Sequence, residues 1–186
     1  MIGYALCGSF CTFKDSTEAL KRLKNKYSDI LPIMSYNAYG TDTRFGNHAE
    51  WNGMIEEICQ NKIINTIYDS EPLGPKISLD ALVIAPCTGN TLAKLANGIT
   101  DTPVCMAAKA HLRSDRPLVI ALASNDAMSA NLGNIAKLLT RKNIYFVPMS
   151  QDEPIKKPHS LVADFSLIEE TLEGALSGKQ IRKLFL

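Results

Sequence analysis

Apolar positions along the chain keep two rhythms: short unbroken runs, and longer stretches in which they return every three or four residues. The first predicts buried strands and the second amphipathic helices. Ile2 to Phe10 is apolar and turns at Gly8-Ser9, the pattern of a buried strand. Asp15 and Glu18 stand at capping-box spacing, and Ala19, Leu20, Leu23 and Tyr27 line one helical face. Ile30 to Ser35 predicts a second strand. Asn47 and Glu50 make another cap-like pair, followed by Trp51, Met54, Ile55, Ile58 and Cys59 on one side of the clearest amphipathic helix.

The alternation continues through the rest of the chain. Ile63 to Ile67 predicts a short strand, and Pro72-Leu73-Gly74-Pro75 a rigid turn. Leu79 to Ala85 is apolar almost throughout, as suits a parallel strand covered on both faces, and Pro86 is expected to end it. Leu92, Leu95, Ala96 and Ile99 form the next helical face, with Gly98 near its stop. Thr102-Pro103 is an N-cap followed by proline at the first helical position, opening a helix of small residues through Arg113. Leu118 to Ala123 predicts another buried strand, and Leu132, Ile135, Ala136 and Leu139 the helix after it. Ile144 to Val147 is a last short strand, and Ile168, Leu172, Ala175 and Leu176 mark the final helix.

Strand–helix alternation over 186 residues implies one α/β domain, a doubly wound parallel sheet between two helical layers. The segment 150–160, mixed in charge and punctuated by proline, is expected to be a mobile loop, with Lys156-Lys157 part of it rather than a catalytic pair.

Composition narrows the function. Lys+Arg 20 against Asp+Glu 19 leaves a net charge of +1, without the basic excess of a dedicated nucleic-acid binder. No run approaches the ~18 apolar residues of a transmembrane helix. The N-terminal Met1-Ile2-Gly3-Tyr4 lacks the basic region and long apolar run of a signal peptide, so a cytoplasmic protein is expected. Cys7, Cys11, Cys59, Cys87 and Cys105 form neither a CxxC pair nor zinc-type spacing. Reduced thiols, most of them small core hydrophobes, and no metal site are expected.

Ligands of doubly wound sheets bind beyond the carboxyl ends of the strands, at the switch point. Chemistry is therefore sought after Leu6, Ala85 and Ala123. The first of these turns, Cys7-Gly8-Ser9-Phe10-Cys11-Thr12, offers close backbone approach at Gly8 and hydroxyls at Ser9 and Thr12, a plausible phosphate cradle. A tight turn with no ligand is the plainer reading. The second, Pro86-Cys87-Thr88-Gly89-Asn90-Thr91, gathers hydroxyls, an amide and a thiol at a helix start, where Thr88 or Asn90 also suits a cap. The third presents Asn125 and Asp126, the latter equally placed to cap a helix.

That second stretch resembles the Pro-Ala-Ser-Ala-Asn-Thr motif of the flavin-containing cysteine decarboxylases. With Leu92 to Ile99 it also resembles the flavin prenyltransferases, and the Gly8-Ser9 turn fits their flavin-phosphate loop. Within this superfamily the chain is most similar to the B subunits of dipicolinate synthases. The likeness runs through Asp42 to Gly46, Glu71 to Lys76, Ala85 to Ala108, Ser124 to Ala127, and the tail from Phe146 to Ala163. The resemblance implies a Rossmann-like flavoprotein fold and FMN held by Gly8, Ser9, Phe10, Thr12, Ser35, Pro86, Cys87, Thr88, Asn90 and Thr91. It further implies a two-subunit oxidoreductase converting dihydrodipicolinate to dipicolinate in the mother cell of a sporulating bacterium. NADP or NAD would sit on the A subunit of dipicolinate synthase, and the B subunits would form a trimer-based homo-oligomer. A flat dicarboxylate substrate calls for Arg44, Asn90, Asn125 and Asp126, with Arg44 on a flexible loop.

The chain departs from the superfamily in several places. His48 in Gly46-Asn47-His48-Ala49 matches the decarboxylases' active-site His-Ile poorly, and their Pro-x-Met-Asn element is replaced by Ser124 to Met128. Asn90 stands where the prenyltransferases carry Lys. No residue is assigned as the catalytic acid or base. His48 reads as an exposed imidazole, His111 as a solvated residue beside Arg113, and His159 as a loop residue of either kind. A stand-alone FMN-dependent decarboxylase or prenyltransferase, and a non-catalytic partner that has kept the fold, are the alternatives.

Overall fold

In the computed structural model, which describes every residue except Arg182, four parallel strands carry the centre of the molecule. They are β1 (Ile2–Leu6), β2 (Ile30–Met34), β3 (Ala81–Cys87) and β4 (Leu118–Ser124), in the order β2-β1-β3-β4. Every residue of β1 and β3 is buried, which is why these strands read as unbroken apolar runs. One face is covered by α1 (Phe13–Lys26), α3 (His48–Cys59) and α8 (Ile168–Leu176), through Phe13, Leu20, Ile55 and Leu172. The other carries α5 (Gly89–Asn97), α6 (Pro103–Leu112) and α7 (Leu132–Leu139), through Leu92, Val104, Ile135 and Leu138. Two short helices, α2 (Tyr36–Gly40) and α4 (Ile67–Ser70), lie between β2 and β3. The crossover from β1 to β2 runs over one face and that from β3 to β4 over the other, so the winding reverses between β1 and β3.

Pairing changes along β4. Its first half pairs in parallel with β5 (Ile144–Phe146), while Ala123 and Ser124 pair antiparallel with β7 (Leu161–Ala163), itself antiparallel to β6 (Met149–Ser150). The sheet is thus seven-stranded and mostly, not wholly, parallel. Strands of two and three residues are too short for a two-residue rhythm to appear in the sequence.

Other local expectations need correction. Asp15 and Glu18 do not form a capping box. A single 3-10 turn, Phe10–Thr12, leads directly into α1, whose N-cap Thr12 makes no side-chain cap, and Glu18 pairs with Lys21 instead. Ile63 to Ile67 is no strand: Ile64 alone bridges to Ile33, and Ile67 already begins α4. Pro86 does not end β3, which runs on to Cys87 through a register shift against β4. Proline is tolerated there because its missing N–H falls in that register shift, while its carbonyl still accepts from Cys7 N–H at 3.0 Å. Ile99 lies past the left-handed cap at Gly98 and is exposed.

His111 is not solvated but wholly buried, its Nε2 2.9 Å from the Pro117 carbonyl and its Nδ1 without a partner. Burial pushes its pKa below the usual value, the nearby Arg116 charge adds to this, and the bond to Pro117 opposes it. The alanines of α6 also face inward. Ala107, Ala108 and Ala110 are buried within the chain, and a Cβ at Gly74 would overlap the Ala110 carbonyl. Their smallness serves packing inside one chain.

Candidate functional site at the carboxyl edge

The turns at the carboxyl ends of β2, β1, β3 and β4 follow one another across the edge of the sheet, and the switch point falls between the second and third. Beneath the β1 turn, the Tyr4 hydroxyl donates to the Ser16 carbonyl at 2.9 Å and Ser16 Oγ to the Ala85 carbonyl at 2.6 Å. These buried bonds hold α1 against both β1 and β3. Above them Ser9 N–H closes onto the Cys7 carbonyl at 2.8 Å, and the Thr12 hydroxyl donates back to the Ser9 carbonyl at 2.8 Å. Phe10 packs on Phe13, which meets Trp51 edge-on with ring centroids 5.6 Å apart.

The start of α5 is held from two sides. On the β1 side Thr88 Oγ accepts from Thr91 N–H, and its hydroxyl donates to Thr91 Oγ, which donates to Cys7 Sγ at 3.3 Å. Burial pushes the Cys7 thiol up to about 12 and that of Cys87 well above its usual value. Both are neutral packing groups, not nucleophiles. On the β4 side Gly89 lies against Ser124, Asp126 and Asn131. Asp126 Oδ1 accepts from Ser124 Oγ and from Asn131 Nδ2 at 3.0 Å. These bonds, Ser124's first, hold its carboxyl below the ordinary range.

The residues expected from sequence therefore fall into two sets. Thr12, Ser35, Pro86, Cys87 and Thr91 are buried framework, with the Ser35 hydroxyl engaged in capping α2. Gly8, Ser9 and Phe10 are half-exposed, Thr88 likewise, and Asn90 is open to solvent. First-turn N–H groups have no partner inside their own helix, so the turn at Phe10-Cys11 and the start of α5 at Gly89-Asn90 present donors on both flanks of the switch point. Oriented N–H groups, hydroxyls and an amide without a cation form a donor set suited to a phosphate and the edge of a planar heterocycle.

The loop between α2 and α3 reaches the same edge, since Trp51 packs on both Gly46 and Phe13. Arg44 is exposed there with its guanidinium 4.8 Å over the Phe45 ring. Asp42 Oδ1 accepts from His48 N–H at 2.9 Å and lies 2.6 Å from His48 Nδ1. The backbone bond, then the ring, keeps Asp42 below the usual carboxylate range. Asn125 is exposed at the end of β4, and His159 is exposed in its loop. Sequence reading missed Asn131 and the Asp42–His48 pair, whose only trace was the clustering of Asn and Asp about two helix starts. Among the described residues no three His, Cys, Asp or Glu side chains gather as a metal ion requires, and no helix is long and apolar enough to cross a membrane.

The chain is 44% identical to the B subunit of dipicolinate synthase from Bacillus subtilis over 185 residues, covering 100% of this chain and 92% of that one. It matches the crystal structure of the corresponding B subunit from Bacillus halodurans with a TM-score of 0.91 and 42% identity, covering 100% of this chain and 95% of that one. The FMN-dependent cysteine decarboxylase SpaF matches with a TM-score of 0.70 and 26% identity over 94% of this chain and 95% of its own. The flavoprotein family model matches residues 2–169, and the chain belongs to the flavoprotein family.

Proposed function

We propose that the chain holds flavin mononucleotide at the β1/β3 switch point and acts as the B subunit of a dipicolinate synthase, in the cytoplasm of a spore-forming mother cell. Its partner would be an A subunit carrying NADP or NAD. The observation that carries this reading is the near full-length likeness to the B subunit of a dipicolinate synthase, combined with helix starts on both sides of the switch point whose first N–H groups have no partner within the helix. Converting dihydrodipicolinate to dipicolinate removes two electrons and two protons from a dihydropyridine ring, and the partner's nicotinamide nucleotide is the final electron acceptor. Flavin, when bound, supplies a two-electron relay for that removal. In this chain Ser9 and the N–H groups of Phe10 and Cys11 would receive the phosphate, and Thr88, Gly89 and Asn90 the ring edge. Arg44 and Asn125 would take the two substrate carboxylates, Arg44 by its planar fork.

A trimer-based homo-oligomer belongs to the same reading. It is supported by a cleft of about 830 Å³ beside α4, where apolar Ile67, Tyr68 and Ile77 are rimmed by Lys62, Asp69, Glu71 and Lys76, with Tyr68 86% exposed. Sedimentation at micromolar concentration should show no lasting monomer.

The decisive test is titration with flavin mononucleotide, following fluorescence quenching and the visible absorption bands, with and without the partner protein. Binding is expected in the micromolar range or tighter. No binding at high micromolar flavin, to either the isolated chain or the complex, overturns the flavin site and favours a non-catalytic partner that has kept the fold.

A further inference from the structure

We infer that Asp126 positions the first turn of α5 from behind and is not a ligand of the substrate; what the turn then holds rests on the flavin reading above. A Cβ at Gly89 would stand 2.5 Å from Ser124 Oγ, 2.7 Å from Asn131 Nδ2 and 2.8 Å from Asp126 Oδ1. Side-chain carbons do not approach polar atoms so closely, so α5 begins on a residue that has no room for a side chain. The three polar groups are bonded to one another through Asp126 Oδ1, and they form a saddle on which the Gly89 backbone rests. Asn131, only 5% exposed, is fixed in turn by Asn134, which donates to its Oδ1 at 2.9 Å.

The first turn of α5 contains no acidic residue. Asp126 supplies from the β4–α7 loop the negative charge that favours a helix N-terminus. A carboxylate facing the ligand would repel a dicarboxylate. Asp126 is exposed, but its Oδ1 is engaged by Ser124 and Asn131, and through that oxygen it fixes the direction of the Gly89 and Asn90 N–H groups, while the Thr88–Thr91–Cys7 relay fixes the opposite flank.

The test compares Gly89→Ala, Asp126→Ala and Asp126→Asn with Gly133→Ala in α7, where an added Cβ meets nothing within 4 Å. Replacing glycine by alanine in a helix ordinarily stabilises it. Gly133→Ala should accordingly raise the Tm, whereas Gly89→Ala should lower it and speed hydrogen exchange at the Thr91 and Leu92 amides. Gly89→Ala and Asp126→Ala should each weaken flavin mononucleotide binding about tenfold, the scale of one misaligned hydrogen bond, and shift the visible flavin bands. Asp126→Asn keeps an acceptor oxygen in place and should restore exchange protection and most of the affinity. Unchanged exchange, flavin affinity and spectrum in Asp126→Ala, with KM for dihydrodipicolinate raised in the two-subunit enzyme, would make Asp126 a substrate ligand and overturn the inference. If the unmodified chain binds no flavin, the flavin reading alone fails, and the exchange data still decide whether Asp126 holds α5.

Discussion

At the amino edge of the sheet, charged and polar groups meet partners from other parts of the chain, His111 Nδ1 excepted. The Met1 ammonium and Arg116 both reach Asp80, at 2.8 and 2.9 Å, and His111 Nε2–H donates to the Pro117 carbonyl. Arg141 forks onto the Leu95 and Ala96 carbonyls at the end of α5, while Lys94 meets Asp101 at 2.8 Å. The carboxyl edge is arranged differently. Buried Thr91 closes on Cys7 and buried Asn131 on Asp126, but Asn90 and Asn125 above them remain open to solvent. Both edges are rich in polar residues, so polarity alone does not locate a site. What distinguishes the carboxyl edge is a closed lower layer that orients donors in an open upper one, at the reversal of winding where such folds take their ligands.

The largest expected difference between the edges lies in their arginines. Arg44→Ala should lower kcat/KM of the two-subunit enzyme roughly 10- to 150-fold, the ~1.5–3 kcal/mol of a lost charge-assisted hydrogen bond at ~1.4 kcal/mol per decade. Arg44→Lys keeps the charge without the bidentate fork and should recover only part of the loss. Thermal unfolding should move only slightly, because Arg44 is exposed and the contact it gives up, its guanidinium over the exposed Phe45 ring, is worth about 0.5–1 kcal/mol at most. Arg116→Ala at the opposite edge should leave kcat/KM unchanged. Full activity and unmodified KM in both Arg44 variants would place the substrate elsewhere.

How much of this was legible in the sequence follows from the range over which each feature is decided. Strands covered on both faces, such as Leu118 to Ala123, announce themselves because burial is written into every residue. Caps such as Thr102 and Asn47 are local, and both hold, accepting from Cys105 and Ala49 N–H. Ile64 failed as a strand because a single bridge depends on where β2 lies, not on its own neighbours. His111 was misread for a similar reason: its burial is set by the loop entering β4, which no helical periodicity records. In the site, the turns at Gly8-Ser9 and Thr88-Thr91 were visible as polar clusters after apolar runs. Which of their side chains are framework and which face outward depends on contacts such as Cys7 to Thr91, 84 positions apart.

His111 tests whether the amino edge is purely structural. Its pKa is depressed in the folded chain, so below about pH 6.5 the unfolded chain binds a proton that the folded one refuses. Stability should therefore fall as pH drops through that value, by up to about 1.4 kcal/mol per pH unit from this group, until the folded-state pKa is reached. His111→Gln removes the titration and should flatten the difference measured by urea unfolding at pH 7.5 and 5.5. Equal slopes in the two proteins would mean that His111 is accessible to protons in the folded state. Flavin affinity should be the same in both, because His111 lies at the edge away from the switch point.

The smallest effect is expected at Asp80, and its smallness is informative. Asp80 receives both Met1 and Arg116, and its carboxyl is held below the ordinary range first by the Met1 ammonium and then by Arg116. Yet its side chain is 56% exposed, and those of Met1 and Arg116 are 31% and 40% exposed, so water screens both pairs. Exposed ion pairs contribute ~0–1 kcal/mol. Arg116 also keeps a bond to the Leu79 carbonyl at 3.0 Å that does not need Asp80. Asp80→Asn should accordingly cost less than about 1 kcal/mol in urea unfolding at neutral pH, and less still in 1 M salt, where the screening length is ~3 Å. Flavin affinity should stay within error of the unmodified chain. A loss above about 2 kcal/mol would show that the amino edge is held by charge and not by the apolar strands behind it. A change in flavin affinity would show instead that the two edges are coupled through β3, and the contrast between them would no longer hold.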